Sequence, residues 1–99
     1  MPRPQKLDAA EIARRLQSLP GWEQKDGKLH RQFTFPDFAE AFRFLTEVAT
    51  EAERLQHQPE GSNVYNRVTM DLVTHDAGGI TALDFELAGR AQQLAGHAK

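Results

Sequence analysis

The sequence predicts an α+β fold of two layers, in which helices cover one face of a four-stranded antiparallel sheet. Three segments repeat apolar residues at the three- and four-residue spacing of amphipathic helices, and between them lie two strand-like stretches. Each of these two stretches has turn-forming residues near its middle, so each is expected to fold back on itself as a hairpin. The resulting order is α-β-β-α-β-β-α, which is typical of an antiparallel sheet with helices on one side.

Composition narrows the class of protein further. Ninety-nine residues predict a single domain spanning 1–99, and the net charge of −2 with scattered Lys and Arg argues against direct nucleic-acid binding. The absence of cysteine excludes disulfides and thiolate metal sites. No apolar stretch approaches the roughly 20 residues of a membrane span, and the start lacks a signal-peptide core. We therefore expect a cytoplasmic protein without membrane contact.

The first helix is expected to begin after Asp8, whose carboxylate can accept hydrogen bonds from the amide groups of the first turn. Ile12, Leu16 and Leu19 form its apolar face, and Pro20-Gly21 is expected to end it. A hairpin should follow, because Asp26-Gly27 favours a two-residue turn. Its strands are expected over the segments 22–25 and 29–35, with one buried face and one polar face.

The second helix carries the clearest periodicity. Pro36 suits a first helical turn, and the helix should run to about Gln56, since Pro59 disfavours helical geometry at the residue before it. The apolar residues of this helix are expected to form part of the core; they are Phe38, Ala41, Phe42, Leu45, Val48, Ala49, Ala52 and Leu55.

The segment from Asn63 to His75 is rich in strand-forming residues but too long for one strand of the usual ~5–6 residues. A fold-back near Asn66-Arg67 is therefore expected, because Asn tolerates left-handed geometry. Four residues share one parity and are expected to face the core: Val64, Val68, Met70 and Leu72. The third helix should begin at Thr81, with Asp84 completing a capping box.

The second hairpin matters for function because two histidines flank it. His57 and His75 each lie nine residues from Asn66, so a fold-back brings both imidazoles to the same end of the sheet. A straight chain could separate them by several tens of ångströms, at ~3.3 Å per residue. Imidazole can serve as both acid and base near neutral pH. The sequence therefore predicts a two-histidine site if the hairpin forms.

At these residues the chain resembles the pterin-4a-carbinolamine dehydratase family, over about Leu7 to Leu94. The matching features are an acidic residue four before a His, then Pro, a Tyr, a Thr-His pair with a Gly-containing loop, and an Asp opening the last helix. In this sequence they are Glu53, His57, Pro59, Tyr65, Thr74-His75, Gly78-Gly79 and Asp84. One position departs from the pattern, because Gln58 stands where the family usually has His or Asn.

The resemblance implies an enzyme that removes water from a 4a-hydroxytetrahydropterin without a cofactor or metal. It implies that His57 and His75 share the acid and base roles, with Glu53 accepting the other N–H of His57. Asp84 would do the same for His75 or only cap its helix. The implied substrate-binding residues are Gln58, Pro59, Thr74 and Asp84. Gly78-Gly79 would let a flat ring approach the backbone, and Tyr65 is interpreted as packing in the core or at its rim and not as catalytic.

Gln58 can hydrogen-bond a pterin but cannot titrate near neutral pH, so reduced activity is one interpretation. A metal site of Glu53, His57 and His75 has suitable ligand types, but no motif places a further strong ligand, and we do not favour it.

Three functions remain open on the sequence alone. The first is a hydro-lyase of tetrahydrobiopterin recycling that serves an aromatic amino acid hydroxylase. The second is a dimerisation or binding module, since the family includes a dimerisation cofactor of a homeodomain transcription factor. The third is a role in another pterin pathway, such as molybdenum cofactor metabolism. The resemblance also implies a homodimer or homotetramer, which would cover the sheet's open edges and uncovered face.

Overall fold

The computed structural model describes residues 4–96 and confirms the expected α+β order. Its elements are α1 Ala9–Leu16, β1 Glu23–Lys25, β2 Lys28–Thr34, α2 Phe38–Leu55, β3 Glu60–Val64, β4 Arg67–Leu72 and α3 Ala82–Ala95. The four strands form one antiparallel sheet in the order β1-β2-β4-β3. Over residues 4–96, no helix has both the length and the apolar character that a membrane crossing requires.

Both hairpins turn where local chemistry allows a left-handed backbone. Asp26 and Gly27 have φ values of 54° and 77°, the pattern of a two-residue hairpin turn. In the second hairpin the left-handed residue is Tyr65, with φ 51°, and the expected role of Asn66 in this geometry is wrong. Val64 is paired with Arg67 across this turn. Arg67 and the buried Val68 point to opposite faces of the sheet, so Val64, which lies opposite Arg67, is on the outer face. It is exposed, and its expected place in the core is wrong.

The core lies between the sheet and the two longer helices. On the inner face of β2 and β4, the side chains of Leu29, Phe33, Val68, Met70 and Leu72 are fully buried. The helices α2 and α3 pack against each other and on this face, which leaves the opposite face of the sheet to polar side chains. The fold therefore has the two layers that the alternation of strand residues indicated.

The orientation of α2 differs in part from the expectation. Ala41, Phe44 and Val48 face the sheet and are buried, whereas Phe38 and Phe42 are about half exposed, at 49% and 55%. Adjacent residues are about 100° apart around a helix. When Ala41 and Phe44 face the sheet, Phe42 therefore lies on the side of the helix, away from the sheet. Placing Phe38 and Phe42 in the core was therefore wrong, and so was placing Ala49 there, which is also exposed.

The first helix is shorter than expected. It ends at Leu16, and the next residues continue as turns in which Ser18 N–H donates to Arg15 C=O and Leu19 N–H to Leu16 C=O. Asp8 caps its start by accepting the Glu11 N–H at 2.9 Å, as expected. The helix is tied to the rest of the domain through the buried Ile12.

Candidate active site

The second hairpin places His57 and His75 at one end of the sheet. His57 precedes β3 and His75 follows β4, and the two strands pair antiparallel from Glu60 opposite Asp71. The Nε2 atom of His75 lies 3.2 Å from Oε2 of Glu60, three residues after His57. The fold-back on which the two-histidine hypothesis depends is therefore present.

His57 is turned into the protein by the way α2 ends. Gln56 adopts a left-handed conformation with φ 51°, and the His57 N–H donates to Ala52 C=O at 3.0 Å. The imidazole that follows is only 4% exposed, and its Nε2 lies 2.5 Å from Oδ1 of Asp84. A histidine at the end of one helix is thus paired with an aspartate in the first turn of another.

Asp84 is fully buried and accepts hydrogen bonds at both carboxylate oxygens. Its Oδ2 accepts from the Thr74 hydroxyl at 2.9 Å and from the Thr81 N–H at 2.8 Å, while Oδ1 faces His57. Because the Thr74 hydroxyl donates its proton to Asp84, it accepts from the Thr81 hydroxyl, which lies 2.8 Å away. The oxygen of the Thr81 hydroxyl also accepts the Leu83 N–H. Because the other partners of Asp84 donate to Oδ2, Oδ1 is placed to accept a proton carried on Nε2 of His57.

His75 has the opposite environment. It opens a short 3₁₀ turn, His75–Ala77, and its side chain is 77% exposed. Its partner Glu60 also accepts from Nζ of Lys28 at 2.7 Å through its other oxygen. The Lys28 hydrogen bond, aided by that of His75, lowers the pKa of Glu60. One imidazole is therefore buried against a carboxylate, and the other is in contact with solvent.

Each histidine has a carboxylate partner that was not expected. Nε2 of His57 is paired with Asp84, which was expected to serve His75 or only to cap its helix, and His75 contacts Glu60. Asp84 also forms the predicted capping box with Thr81. Glu60 was not predicted as a site residue, because the strand was expected to begin at Asn63 and in the structure begins at Glu60. An acidic residue directly after Pro59 was the only available signal.

The remaining expected site residues lie around these pairs. Glu53 accepts a hydrogen bond from the Gln58 amide at 3.2 Å, and both line a cavity of about 370 Å³ between α2 and β3. Pro59 also lines this cavity, and Thr74 is buried with its hydroxyl bonded to Asp84 and Thr81. The other lining residues are Leu45, Val48, Ala49, Ala52, Gly61, Ser62, Asn63 and Met70.

Two further expectations concern the glycine loop and Tyr65. A Cβ atom built on Gly79 would lie 2.9 Å from Cε of Lys6. The Lys6 side chain therefore occupies the space next to the Gly79 backbone. Tyr65 is 65% exposed, so it does not pack in the core, and its packing at the rim stays a prediction. Among residues 4–96, no three His, Cys, Asp or Glu side chains cluster closely enough to hold a metal ion.

Known proteins resemble this chain in fold and in sequence. A crystal structure described as a transcriptional coactivator/pterin dehydratase from Brucella melitensis superposes with a TM-score of 0.90 and 40% identity, covering 93% of this chain and 100% of that one. A pterin dehydratase-like RuBisCO assembly factor of the alpha-carboxysome superposes with a TM-score of 0.63 at 24% identity, a likeness of fold alone.

Sequence relatives cover nearly the whole chain. A Solibacter usitatus protein is 52% identical over 90 residues, which are 91% of this chain and 95% of the relative. A Rhizobium meliloti protein is 50% identical over 95 residues, 94% and 91% of the two chains. Both are named "Putative pterin-4-alpha-carbinolamine dehydratase". The family model described as pterin 4 alpha carbinolamine dehydratase matches residues 5–94. The chain therefore belongs to the pterin 4 alpha carbinolamine dehydratase family.

Proposed function

We propose that this protein removes water from a 4a-hydroxytetrahydropterin, with His57 as the base and His75 as the acid. The observation that carries the proposal is the buried His57–Asp84 pair at the same end of the sheet as the exposed His75. A carboxylate that holds one nitrogen of an imidazole favours proton uptake at the other nitrogen. An exposed imidazole can exchange its proton with water between turnovers.

We propose the following proton transfers. Protonated His75 gives its proton to the 4a-hydroxyl, and the C4a–O bond breaks with its electron pair leaving as water. Nδ1 of His57 takes the proton from N5, and the electrons of the N5–H bond form the C4a=N5 double bond of the quinonoid dihydropterin. Asp84 stabilises the resulting imidazolium without taking its proton. Exchange with solvent returns both histidines to their starting states.

We place the pterin ring at the mouth of the cavity beside α2, whose lining includes Gln58 and Pro59, next along the chain to His57, but neither histidine. The cavity's volume of about 370 Å³ is within the range of small-molecule sites, and its walls are largely apolar. Gln58 and Glu53 supply a donor and acceptors at its edge, next along the chain to His57. In this arrangement Gln58 and Pro59 hold the substrate, Glu53 orients Gln58, and Thr74 and Asp84 support His57.

The test is the decay of an enzymatically generated 4a-hydroxytetrahydropterin, followed by stopped-flow absorbance with and without the protein. We expect acceleration that saturates with substrate and is abolished in the His57→Ala/His75→Ala double variant. The matched control is His30→Ala, because this imidazole is paired with Asp71 on the outer face of the sheet. Acceleration that survives in the double variant would refute the assignment of the histidines.

In the cell we place this activity in the cytoplasm, in the recycling of tetrahydrobiopterin for an aromatic amino acid hydroxylase. We also propose self-association as a homodimer or homotetramer. Four large apolar side chains near one end of the molecule support it: Phe38, Phe42, Val64 and Tyr65. The hydrogen bond from Phe35 N–H to Asn66 C=O joins the segment before α2 to the β3–β4 turn at this end.

A binding module is the second candidate function. The same exposed apolar side chains favour it, as does Gln58 in place of a titratable residue. The similar Brucella melitensis protein is described as a coactivator as well as a dehydratase. A chain that bound a pterin analogue or itself but left the dehydration rate unchanged would favour this candidate, including a role in another pterin pathway such as molybdenum cofactor metabolism.

A further inference from the structure

The outer face of the sheet carries a row of charged contacts that ends on His75. Nζ of Lys28 on β2 lies 2.7 Å from Oε1 of Glu60 on β3, and so reaches across β4. The second oxygen of Glu60 lies 3.2 Å from Nε2 of His75. Each carboxylate oxygen of Glu60 thus has a different cationic or imidazole partner, which restricts rotation of the carboxylate.

We propose that Glu60 is a positioning residue for His75, and that Lys28 in turn holds Glu60 in place. The inference rests on the proposed function, in which His75 is the acid. His75 is largely exposed at the start of a three-residue 3₁₀ turn, so little packing fixes its ring. A carboxylate anchored from the neighbouring part of the sheet orients the ring.

The surrounding charges agree with this arrangement. The pKa of Glu60 is lowered, first by the Lys28 hydrogen bond, so the carboxylate is ionised at neutral pH. The pKa of Lys28 is raised, first by Glu60, with smaller contributions from Asp71 on β4 and Asp26 in the first turn. Asp71 is itself paired with His30 at 2.8 Å. Asp71 is also the cross-strand neighbour of Glu60 on this face, whereas the groups that hydrogen-bond to Glu60 are the cation of Lys28 and the imidazole of His75.

The test compares Glu60→Gln with the control Glu23→Gln, which removes an exposed carboxylate from β1 of the same sheet. We expect Glu60→Gln to lower kcat about threefold, in the range of an exposed charge pair, with little change in KM. Lys28→Met should lower kcat by less, and Lys28→Arg should restore it.

Two measurements separate this proposal from the proposed function. In a His75→Ala background, Glu60→Gln should have no further effect on the rate, because the two residues act as one unit. Independently of activity, the imidazole NMR resonances of His75 should shift in Glu60→Gln and not in Glu23→Gln. Unmoved resonances, or a full threefold loss that persists without His75, would overturn the positioning role. An inactive wild-type protein with shifted resonances would refute only the dehydratase.

Discussion

Replacing Asp84 with Asn tests the site most sharply, because the substitution keeps size and removes only the charge and one acceptor. Oδ2 of Asp84 accepts from both Thr74 and Thr81, and the Thr81 donor is a backbone N–H that cannot reverse. The Asn carbonyl oxygen must therefore take the Oδ2 position. Its amide nitrogen then donates toward His57, whose Nε2 has to become an acceptor.

The consequence is a change of tautomer in His57. With the ring proton moved to Nδ1, the nitrogen proposed to take the N5 proton has no lone pair. We expect kcat to fall at least about 100-fold, the low end of what a general base contributes. Loss of a buried charge-assisted hydrogen bond costs about 2 kcal/mol of unfolding free energy. For a domain of this size that corresponds to a decrease of about 10 °C in Tm.

Three measurements check this prediction: stopped-flow dehydration kinetics, thermal unfolding and ¹⁵N NMR of the His57 tautomer. The matched control is Asp71→Asn, since Asp71 also pairs with a histidine, His30 at 2.8 Å, but on the outer face. There we expect a stability loss below about 1 kcal/mol and retained activity. If Asp84→Asn kept both the Nε2–H tautomer and the wild-type rate, the reasoning would fail.

Three further expectations concern separate parts of the chain. Gln58→His should raise turnover if a titratable group at this position is limiting, and an unchanged stopped-flow rate would contradict that limit. Hydrogen bonds from Arg14 and Arg15 lower the pKa of Glu11 from 4.5 to about 2. The contribution of Glu11 to stability is therefore present above pH 4.5 and lost as the pH falls toward 2. Glu11→Gln should flatten acid unfolding in that window, and an unchanged acid curve would disprove the contribution. Phe42→Arg should shift size-exclusion elution to the monomer, whereas Thr50→Arg on the same helix should not; identical elution of Phe42→Arg and wild type would exclude this contact.

The order of helices and strands could be predicted from the sequence because it depends on local chemistry. Asp26-Gly27 makes its hairpin turn, Thr81 and Asp84 form their capping box, and α2 ends at the residue before Gln56, as expected. These features depend only on residues a few positions apart, so the spacing of those residues in the sequence predicts them. The same rules indicated the second hairpin, and with it the shared location of the two histidines.

Only the tertiary structure decided the contacts between residues that are distant in sequence. His57 and Asp84 are 27 positions apart, and they meet because the end of α2 lies against the start of α3. Glu60 reaches His75 and Lys28 because strand register sets the cross-strand neighbours. The exposed flank of α2 at Phe42 likewise depends on how the helix is rotated on the sheet. Apolar spacing identifies an amphipathic helix, but packing selects the face that is buried and the partner that each carboxylate meets.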